Sequence, residues 1–142
     1  RQFGVEDQGW VAHFIIAAVL GRPLSIYGDG KQVRDLLHVH DLIRAYEAVI
    51  AQMDSVKGEA FNLGGGPQNT LSIWAEFGPL LAELHGREIP ITYGDWRPGD
   101  QRVFVADIAK AQATLGWQPQ LSPRAGIRQL YDWVAGNPTL FS

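Results

Sequence analysis

Helix-like and strand-like apolar segments alternate along this chain, and glycine or proline separates one from the next. Residues 10–20 are apolar nearly all round and are followed by Gly21, which indicates a buried helix with its C-terminal stop. Residues 24–27 and 33–39 are short apolar runs around a Gly-Asp-Gly sequence, which favours two strands joined by a turn. The alternation predicts an α/β fold, or an α+β fold with short strands.

Apolar residues recur at helical spacing in four further segments, residues 41–53, 73–84, 107–115 and 123–136. The chain is therefore expected to contain about five helices. Asp41 and Asp107 are the expected N-caps of the first and third of these segments. The second segment contains Pro79, and because proline removes a backbone donor and clashes one turn back, we expect a kink or a break there. Residues 59–63 and 89–93 predict two more short strands.

Length, composition and charge restrict the class of protein. With 142 residues the chain suffices for about one domain, and 46% hydrophobic residues are enough for a packed core. The net charge of −3 and the lack of a long basic run disfavour binding to nucleic acids or anionic membranes. No apolar run approaches the roughly 18 residues of a membrane span, and without cysteine the chain has no disulfide or thiolate chemistry. We therefore expect a cytoplasmic protein without nucleic-acid or membrane partners.

Tyr27 and Lys31 have the spacing at which many dehydrogenases place a catalytic tyrosine and its lysine. Such a pair works on a helix, where positions i and i+4 share one face. Here Gly28 and Gly30 lie between the two residues, and two glycines cost roughly 2 kcal/mol of helix propensity. The stretch is therefore predicted to be a turn after a strand, and no catalytic residue is assigned to this chain.

The glycine-rich stretch at residues 64–66 has the appearance of a dinucleotide fingerprint, but the pattern would need glycine at position 69, where Asn69 stands. No acidic residue follows about 20 positions later at a strand end. A glycine turn is the better interpretation, and no cofactor-binding residue is predicted.

His38 and His40 lie two positions apart and suggest a metal-binding pair. No third ligand stands out apart from Asp41, which is expected to cap a helix. No metal site is predicted.

The chain resembles one family in four segments, which read IYGDGKQVRDLLHVHDLIRAYEAVI, FNLGGG, WRPGDQRVFVAD and LGWQPQLSPRAGI. They are similar to the C-terminal part of extended short-chain dehydrogenases/reductases, the NAD-dependent nucleotide-sugar epimerases, dehydratases and decarboxylases. The resemblance covers essentially the whole chain, with the motifs in the family's order and spacing. The start of the chain, residues 1–15, reads RQFGVEDQGWVAHFI and is similar to a branch of CDP-sugar 2-epimerases.

The resemblance implies a Rossmann-type α/β fold in which residues 1–142 are the nucleotide-sugar-binding C-terminal part. It also implies that an N-terminal part binds NAD and carries the catalytic Tyr-Lys pair. The chain begins with Arg1 rather than Met, and that N-terminal part is expected to be missing. The implied isomerase oxidises C2 of the sugar transiently with tightly held NAD and returns the hydride to the other face. This chain alone is then expected to be inactive, and the full-length enzyme to be a homo-oligomer.

Arg34 and Arg97 are the first candidate substrate ligands, because each stands beside turn-forming residues. A nucleotide-diphosphate sugar carries about two negative charges, and the planar fork of arginine makes bidentate bonds to phosphate oxygens. The resemblance maps the family's two diphosphate-binding arginines onto these positions. The alternative is a surface ion pair, Arg34 with Asp35 or Arg97 with Asp100. Asp35 itself is expected to be a structural partner that orients a neighbouring arginine.

Four further residues complete the implied substrate site. The resemblance places Tyr27 against the base, and Asp100 is an acceptor suited to ribose hydroxyls. Gln32 is a candidate polar neighbour. His13 stands in a helix region where relatives supply an asparagine to the diphosphate, so it is either a substitute donor or a half-buried structural histidine.

Two other functions stay open at this point. The first alternative is that the chain is part of another nucleotide-sugar enzyme, a dehydratase or a decarboxylase. The chain is also compatible with a non-catalytic nucleotide-binding or interaction module. The sequence leaves the nucleotide base, the sugar and the oligomeric state open, because these depend partly on residues outside it.

Overall fold

The computed structural model describes residues 3–4 and 9–141. These residues form two compact units. The first unit comprises the described residues within 1–32, 72–102 and 124–142, and the second comprises residues 33–71 and 103–123. The helices are α1 (Trp10–Leu20), α2 (Val39–Ala51), α3 (Met53–Val56), α4 (Phe77–His85), α5 (Ala109–Leu115) and α6 (Pro123–Gly136). The strands are β1 (Leu24–Tyr27), β2 (Val33–Asp35), β3 (Thr70–Ser72), β4 (Ile91–Gly94) and β5 (Val103–Phe104).

A pair of parallel strands organises the first unit. Strands β1 and β4 align from Leu24 opposite Ile91 to Tyr27 opposite Gly94. Because the strands are parallel, both carboxyl ends lie at the same edge of the pair. Helices α1 and α4 supply apolar cover, with the Phe77 ring 5.1 Å from the ring of Trp10. The helix and the strand predicted at residues 10–20 and 24–27 are confirmed.

The second unit is built on strand β2, which lies between β3 and β5. Strands β2 and β5 are parallel, with Val33 opposite Val103 and Arg34 opposite Phe104. Its core is a cluster of buried residues from α2, α3, α5 and the segments next to α5, namely Ala45, Val56, Ile108, Ala111, Leu115 and Trp117. The second unit therefore has an apolar core of its own.

The predicted N-cap of the second helix is wrong. Helix α2 begins at Val39, and His38 is its N-cap, with Nδ1 accepting a hydrogen bond from the backbone N–H of His40 at 3.2 Å. The strand predicted at residues 33–39 is correspondingly shorter and ends at Asp35. Asp41 lies in the first turn of α2, where it is fully buried. Its side chain bonds to a distant loop instead of the helix end.

The strand predicted at residues 59–63 is also wrong, because this segment does not form a strand in the part of the chain that the structure describes. A strand requires a hydrogen-bonded neighbour, and no described segment pairs with this one. Phe61 and Leu63 nevertheless pack against the buried cluster of the second unit. Their apolar side chains therefore contribute to the packing of this unit.

The kink or break expected at Pro79 does not occur, because α4 begins only at Phe77 and continues through Pro79 to His85. Pro79 lies in the first turn of α4, where a backbone N–H has no partner within the helix. The helix predicted over 41–53 is divided into α2 and α3, so the described residues contain six α-helices instead of about five. The N-cap of α5 is Ile108 and not Asp107 as predicted, although Asp107 Oδ1 accepts a hydrogen bond from the backbone N–H of Ala109 at 2.9 Å. No described helix has the length and the apolar character needed to cross a membrane.

Candidate functional site

The candidate site lies in the first unit, at the carboxyl edge of β1 and β4. Strand β1 ends at Tyr27, and the chain then turns through Gly28 and Gly30, whose φ angles are 80° and 71°. The backbone N–H of Gly28 donates to the carbonyl of Gly94 at 3.0 Å, which ties this turn to the end of β4. The predicted turn is confirmed, and Tyr27 and Lys31 do not share a helix. Ligands of α/β proteins bind at this edge of parallel strands.

Gln32 is the buried link between the two turns at this edge. Only 2% of its surface is exposed. Its Nε2 donates to the carbonyl oxygen of Tyr27 at 2.6 Å and to Oδ2 of Asp100 at 3.1 Å. The end of β1 and the loop after β4 are therefore connected through one amide group.

Arg97 stacks on Tyr27. The central guanidinium carbon of Arg97 lies 3.9 Å from the centre of the tyrosine ring, a close cation–π arrangement. The backbone N–H of Asp100 donates to the carbonyl of Arg97 at 3.1 Å, which closes the turn over Pro98 and Gly99. A guanidinium held through its face presents N–H donors along its edges, and these are the donors that bind phosphate or carboxylate.

Trp96 is a component of the site that the sequence analysis missed. A Cβ on Gly28 would lie 2.8 Å from the indole Cδ2 of Trp96 and 2.8 Å from Nε2 of Gln32, so only glycine fits beside them. The guanidinium of Arg102 lies 5.1 Å from the Trp96 ring. The available signal was the tryptophan directly before Arg97 in DWRPGD, since an aromatic residue next to an arginine in a turn is typical of binding surfaces.

The structure thus brings together four of the six predicted substrate ligands, Tyr27, Gln32, Arg97 and Asp100. His13 lies near the start of α1 and is half-buried, with its ring 5.7 Å from the ring of Phe14. Arg34 belongs to the second unit, where it is half-buried on β2 and its Nη1 donates to the carbonyl of Val33 at 2.9 Å.

Asp35 has a structural role in the second unit. Its Oδ2 accepts hydrogen bonds from the backbone N–H of Gly66 at 2.9 Å and from that of Ala106 at 3.3 Å. These two bonds tie the glycine-rich segment to the segment after β5. Asp35 was expected to orient an arginine, and the groups that it holds through these two bonds are backbone amides.

The space beside the glycine-rich segment is occupied by other atoms of the same chain. A Cβ on Gly65 would collide with the carbonyl oxygen of Leu36, and a Cβ on Gly66 would lie 2.8 Å from Cδ1 of Ile108. The segment runs into the 3₁₀-helix Pro67–Asn69 and not into an α-helix. A dinucleotide cradle needs open glycines and the N-terminus of a helix, so these residues do not fit the phosphates of NAD.

The two histidines at the start of α2, the N-cap His38 and His40 in the first turn, contact each other. Nδ1 of His38 accepts the backbone N–H of His40, and the two rings are 4.8 Å apart. Burial and the neighbouring His40 lower the pKa of His38, which favours the neutral, accepting form. The described residues contain no group of three or more potential metal ligands.

The described units have the α/β fold of the Rossmann-type short-chain dehydrogenases/reductases, in the class of nucleotide-sugar epimerases and dehydratases. The chain belongs to the GDP-mannose 4,6 dehydratase family, whose sequence model matches residues 8–130. It is 41% identical over 140 residues to CDP-paratose 2-epimerase of Salmonella typhi, covering 95% of this chain and 41% of that protein. It is 38% identical over 129 residues to dTDP-glucose 4,6-dehydratase of Haemophilus influenzae, covering 84% and 38%. The chain thus spans about two fifths of the curated relatives it matches.

Solved structures give the same family assignment. UDP-glucose 4-epimerase of Thermotoga maritima with UDP-glucose is 31% identical with a TM-score of 0.83, covering 99% of this chain and 43% of that one. UDP-glucuronic acid 4-epimerase of Bacillus cereus, in complex with UDP-glucuronic acid and NAD, is 29% identical with a TM-score of 0.79. That comparison covers 89% of this chain and 40% of the epimerase.

Proposed function

We propose that this chain binds the nucleotide-diphosphate-sugar substrate of an NAD-dependent epimerase, and that the substrate is a CDP-sugar epimerised at C2. The observation that carries the proposal is the stacking of Arg97 on Tyr27 at the carboxyl edge of β1 and β4. It joins a flat aromatic ring to a phosphate-binding group at an edge where such ligands bind. The CDP-sugar and the C2 position are supported by the 41% identity to CDP-paratose 2-epimerase.

Each residue of the cluster has a role in this proposal. Arg97 binds the diphosphate, Asp100 accepts hydrogen bonds from the ribose, and Tyr27 lies against the base. Gln32 is the polar neighbour that holds these groups together. For His13 and for Arg34, as further contacts to the diphosphate, the proposal rests on the family resemblance alone.

We further propose that NAD is bound mainly by another part of a longer protein, of which this chain is the C-terminal part. The epimerase of Bacillus cereus is a complex with NAD, whereas the glycine-rich segment of this chain does not fit its phosphates. An exposed apolar stripe on α2 and α3 also supports a further part, since such stripes are usually covered by other protein. The stripe follows a spacing of four and three residues and consists of Val39, Ile43, Tyr46, Ile50 and Met53.

A second candidate function is sugar-nucleotide dehydration. It is favoured by the dTDP-glucose 4,6-dehydratases among the relatives, one of which is 38% identical. A dehydratase would use the same diphosphate-binding cluster with a different base and sugar. A third candidate, a non-catalytic nucleotide-binding module, predicts binding without turnover in any longer protein.

The base preference distinguishes the first two candidates. Calorimetric titration of CDP, UDP and dTDP into the chain is expected to give the tightest binding for CDP. CMP should bind about tenfold more weakly than CDP, because it lacks one of the phosphate groups that Arg97 is proposed to hold. Preferred binding of dTDP would favour the dehydratase. Equal binding of CDP and CMP would contradict the diphosphate site itself.

The chain alone is expected to have no epimerase activity. The reason is that Tyr27 and Lys31 lie on a turn and the glycine-rich segment does not fit NAD. The chain is incubated with NAD and a CDP-sugar such as CDP-paratose, and the products are separated by chromatography. Turnover well above a control without protein would contradict both interpretations.

A further inference from the structure

We propose that Gln32 is a positioning residue that sets the place of Arg97 and Asp100 and thereby the affinity for the diphosphate. This inference rests on the proposed function of the same site. Gln32 was a candidate substrate ligand, but it is almost fully buried and its Nε2 is committed to two groups of the protein. Its effect on the substrate therefore passes through the residues it holds.

The chemistry around Nε2 fits a side-chain amide and no other group of that size. Both neighbours are acceptors, the carbonyl oxygen of Tyr27 and the carboxylate of Asp100. One nitrogen must therefore donate two hydrogen bonds, which the NH₂ of glutamine does. A glutamate would bring a second carboxylate to Asp100, and a methionine of similar volume would donate nothing.

Oε1 of Gln32 is buried and finds no hydrogen-bond partner among the described residues. An unsatisfied buried acceptor opposes folding. An apolar side chain would avoid that cost but would leave the carbonyl of Tyr27 and the carboxylate of Asp100 without this donor, so the contribution of the amide lies in its two bonds.

The contacts form a closed ring. Gln32 joins the carbonyl of Tyr27 to the carboxylate of Asp100, and the backbone N–H of Asp100 bonds to the carbonyl of Arg97. The guanidinium of Arg97 returns to the ring of Tyr27. Loss of the amide donors breaks the two contacts that Gln32 makes in this closed set. Arg97 is then held less well in front of the diphosphate.

Gln32→Glu tests the inference through pH. The variant would place a second carboxylate in contact with Asp100. Because two adjacent negative charges repel each other, the pair holds a shared proton at low pH. Arg97 and the phenol of Tyr27 are the other titratable groups of the ring. The affinity of the variant for a CDP-sugar is therefore expected to fall about tenfold relative to wild type from pH 5 to pH 8. A CDP-sugar is used because its doubly esterified diphosphate does not titrate in this range.

Asp100→Asn supplies the matched background. In the double variant Gln32→Glu/Asp100→Asn the amide and the carboxylate exchange places. The amide introduced at position 100 then donates to the carboxylate introduced at position 32, and no proton needs to be shared. In this background the change at position 32 still removes the bond to the carbonyl of Tyr27, so affinity is expected to fall, but by the same factor at pH 5 and at pH 8. A loss that depends on pH in both backgrounds would contradict the contact between positions 32 and 100.

Gln32→Met removes the donors without adding charge. It is expected to lower CDP-sugar affinity while the melting temperature stays near that of wild type. Affinities of Gln32→Met and Gln32→Glu equal to wild type at every pH would overturn the positioning role while leaving the proposed function intact. Failure of the wild type to bind any CDP-sugar would overturn the proposed function, and the inference with it.

Discussion

Arg97→Ala is expected to weaken binding of a nucleotide-diphosphate sugar by about 10- to 150-fold and to leave NAD binding nearly unchanged, in the longer protein that we propose carries this chain. The change removes the charge-assisted, bidentate contact that we propose half-buried Arg97 makes to the diphosphate, a loss of roughly 1.5–3 kcal/mol. Arg97→Lys should recover only part of the affinity, because an ammonium group is a point charge without the fork. Calorimetric titration of CDP into the three proteins measures the effect.

Arg124→Ala is the matched control for Arg97→Ala. Arg124 belongs to the same unit and is also an arginine, but it is exposed and its Nη2 pairs with Oε2 of Glu83 at 2.7 Å. Its loss should change stability by less than about 1 kcal/mol and leave the affinity for CDP unchanged. If the Arg97 and Arg124 variants bind the diphosphate equally well, Arg97 is not a substrate ligand. The matching proposal for Arg34 would then lose most of its support.

Asp41→Ala is expected to destabilise the protein by about 3 kcal/mol. The Asp41 carboxylate is fully buried, and its Oδ2 accepts the backbone N–H groups of Gln120 and Leu121, each at 3.1 Å. An Nη2 of Arg44 lies 3.1 Å from Oδ1, at ion-pair distance but without hydrogen-bond geometry. Alanine leaves two backbone donors without their acceptor and removes the ion-pair partner of Arg44, whose Nη2 still donates to the carbonyl of Gln118 at 2.6 Å. Hydrogen bonds to charged groups are the strong ones. Urea denaturation measures the change.

Glu59→Ala is the control for the carboxylate at position 41. Glu59 also pairs with a cation, Nζ of Lys110 at 2.7 Å, and the bond to Lys110 lowers its pKa. Both side chains of this pair are about half exposed, so water replaces the contact when it is lost. We expect no measurable shift of the denaturation midpoint. Equal losses for the two variants would mean that Asp41 does not anchor the loop after α5.

Local signals in the sequence were sufficient for the elements that end in glycine. Helix α1 ends where predicted because Gly21 adopts the left-handed conformation, with φ of 65°, that few other residues adopt. The turn after Tyr27 follows from Gly28 and Gly30 for the same reason. In each case the signal and the structure lie within a few residues of each other.

Contacts between distant segments were not predictable in this way. The two-residue strand β5 exists only through its pairing with β2, and residues 59–63 have strand composition but no described partner. Aspartate is a common helix cap, yet the Asp41 carboxylate accepts hydrogen bonds from backbone N–H groups 79 and 80 positions later. In each case the residue types indicated what kind of contact to expect, but the distant segment that makes the contact was not predicted.

The candidate site shows the same division. Arg97 and Asp100 were selected as candidates because R-P-G-D predicts a turn that carries an arginine suited to phosphate and a carboxylate acceptor. The bond from Gln32 to Asp100 spans 68 positions, and no local pattern announces it. Trp96 was missed because its contact with Gly28 exists only after β1 and β4 align.

Mapping of CDP binding by nuclear magnetic resonance tests the central claim most directly. The ¹⁵N-labelled chain is titrated with CDP, and shifts of backbone amides, the Trp96 indole and the Arg97 guanidinium are followed. The account predicts that the largest shifts in the first unit fall on residues 27–32 and 96–100, at the carboxyl edge of β1 and β4. Saturable shifts that leave both segments unchanged would contradict the assignment of this edge to the nucleotide-diphosphate sugar.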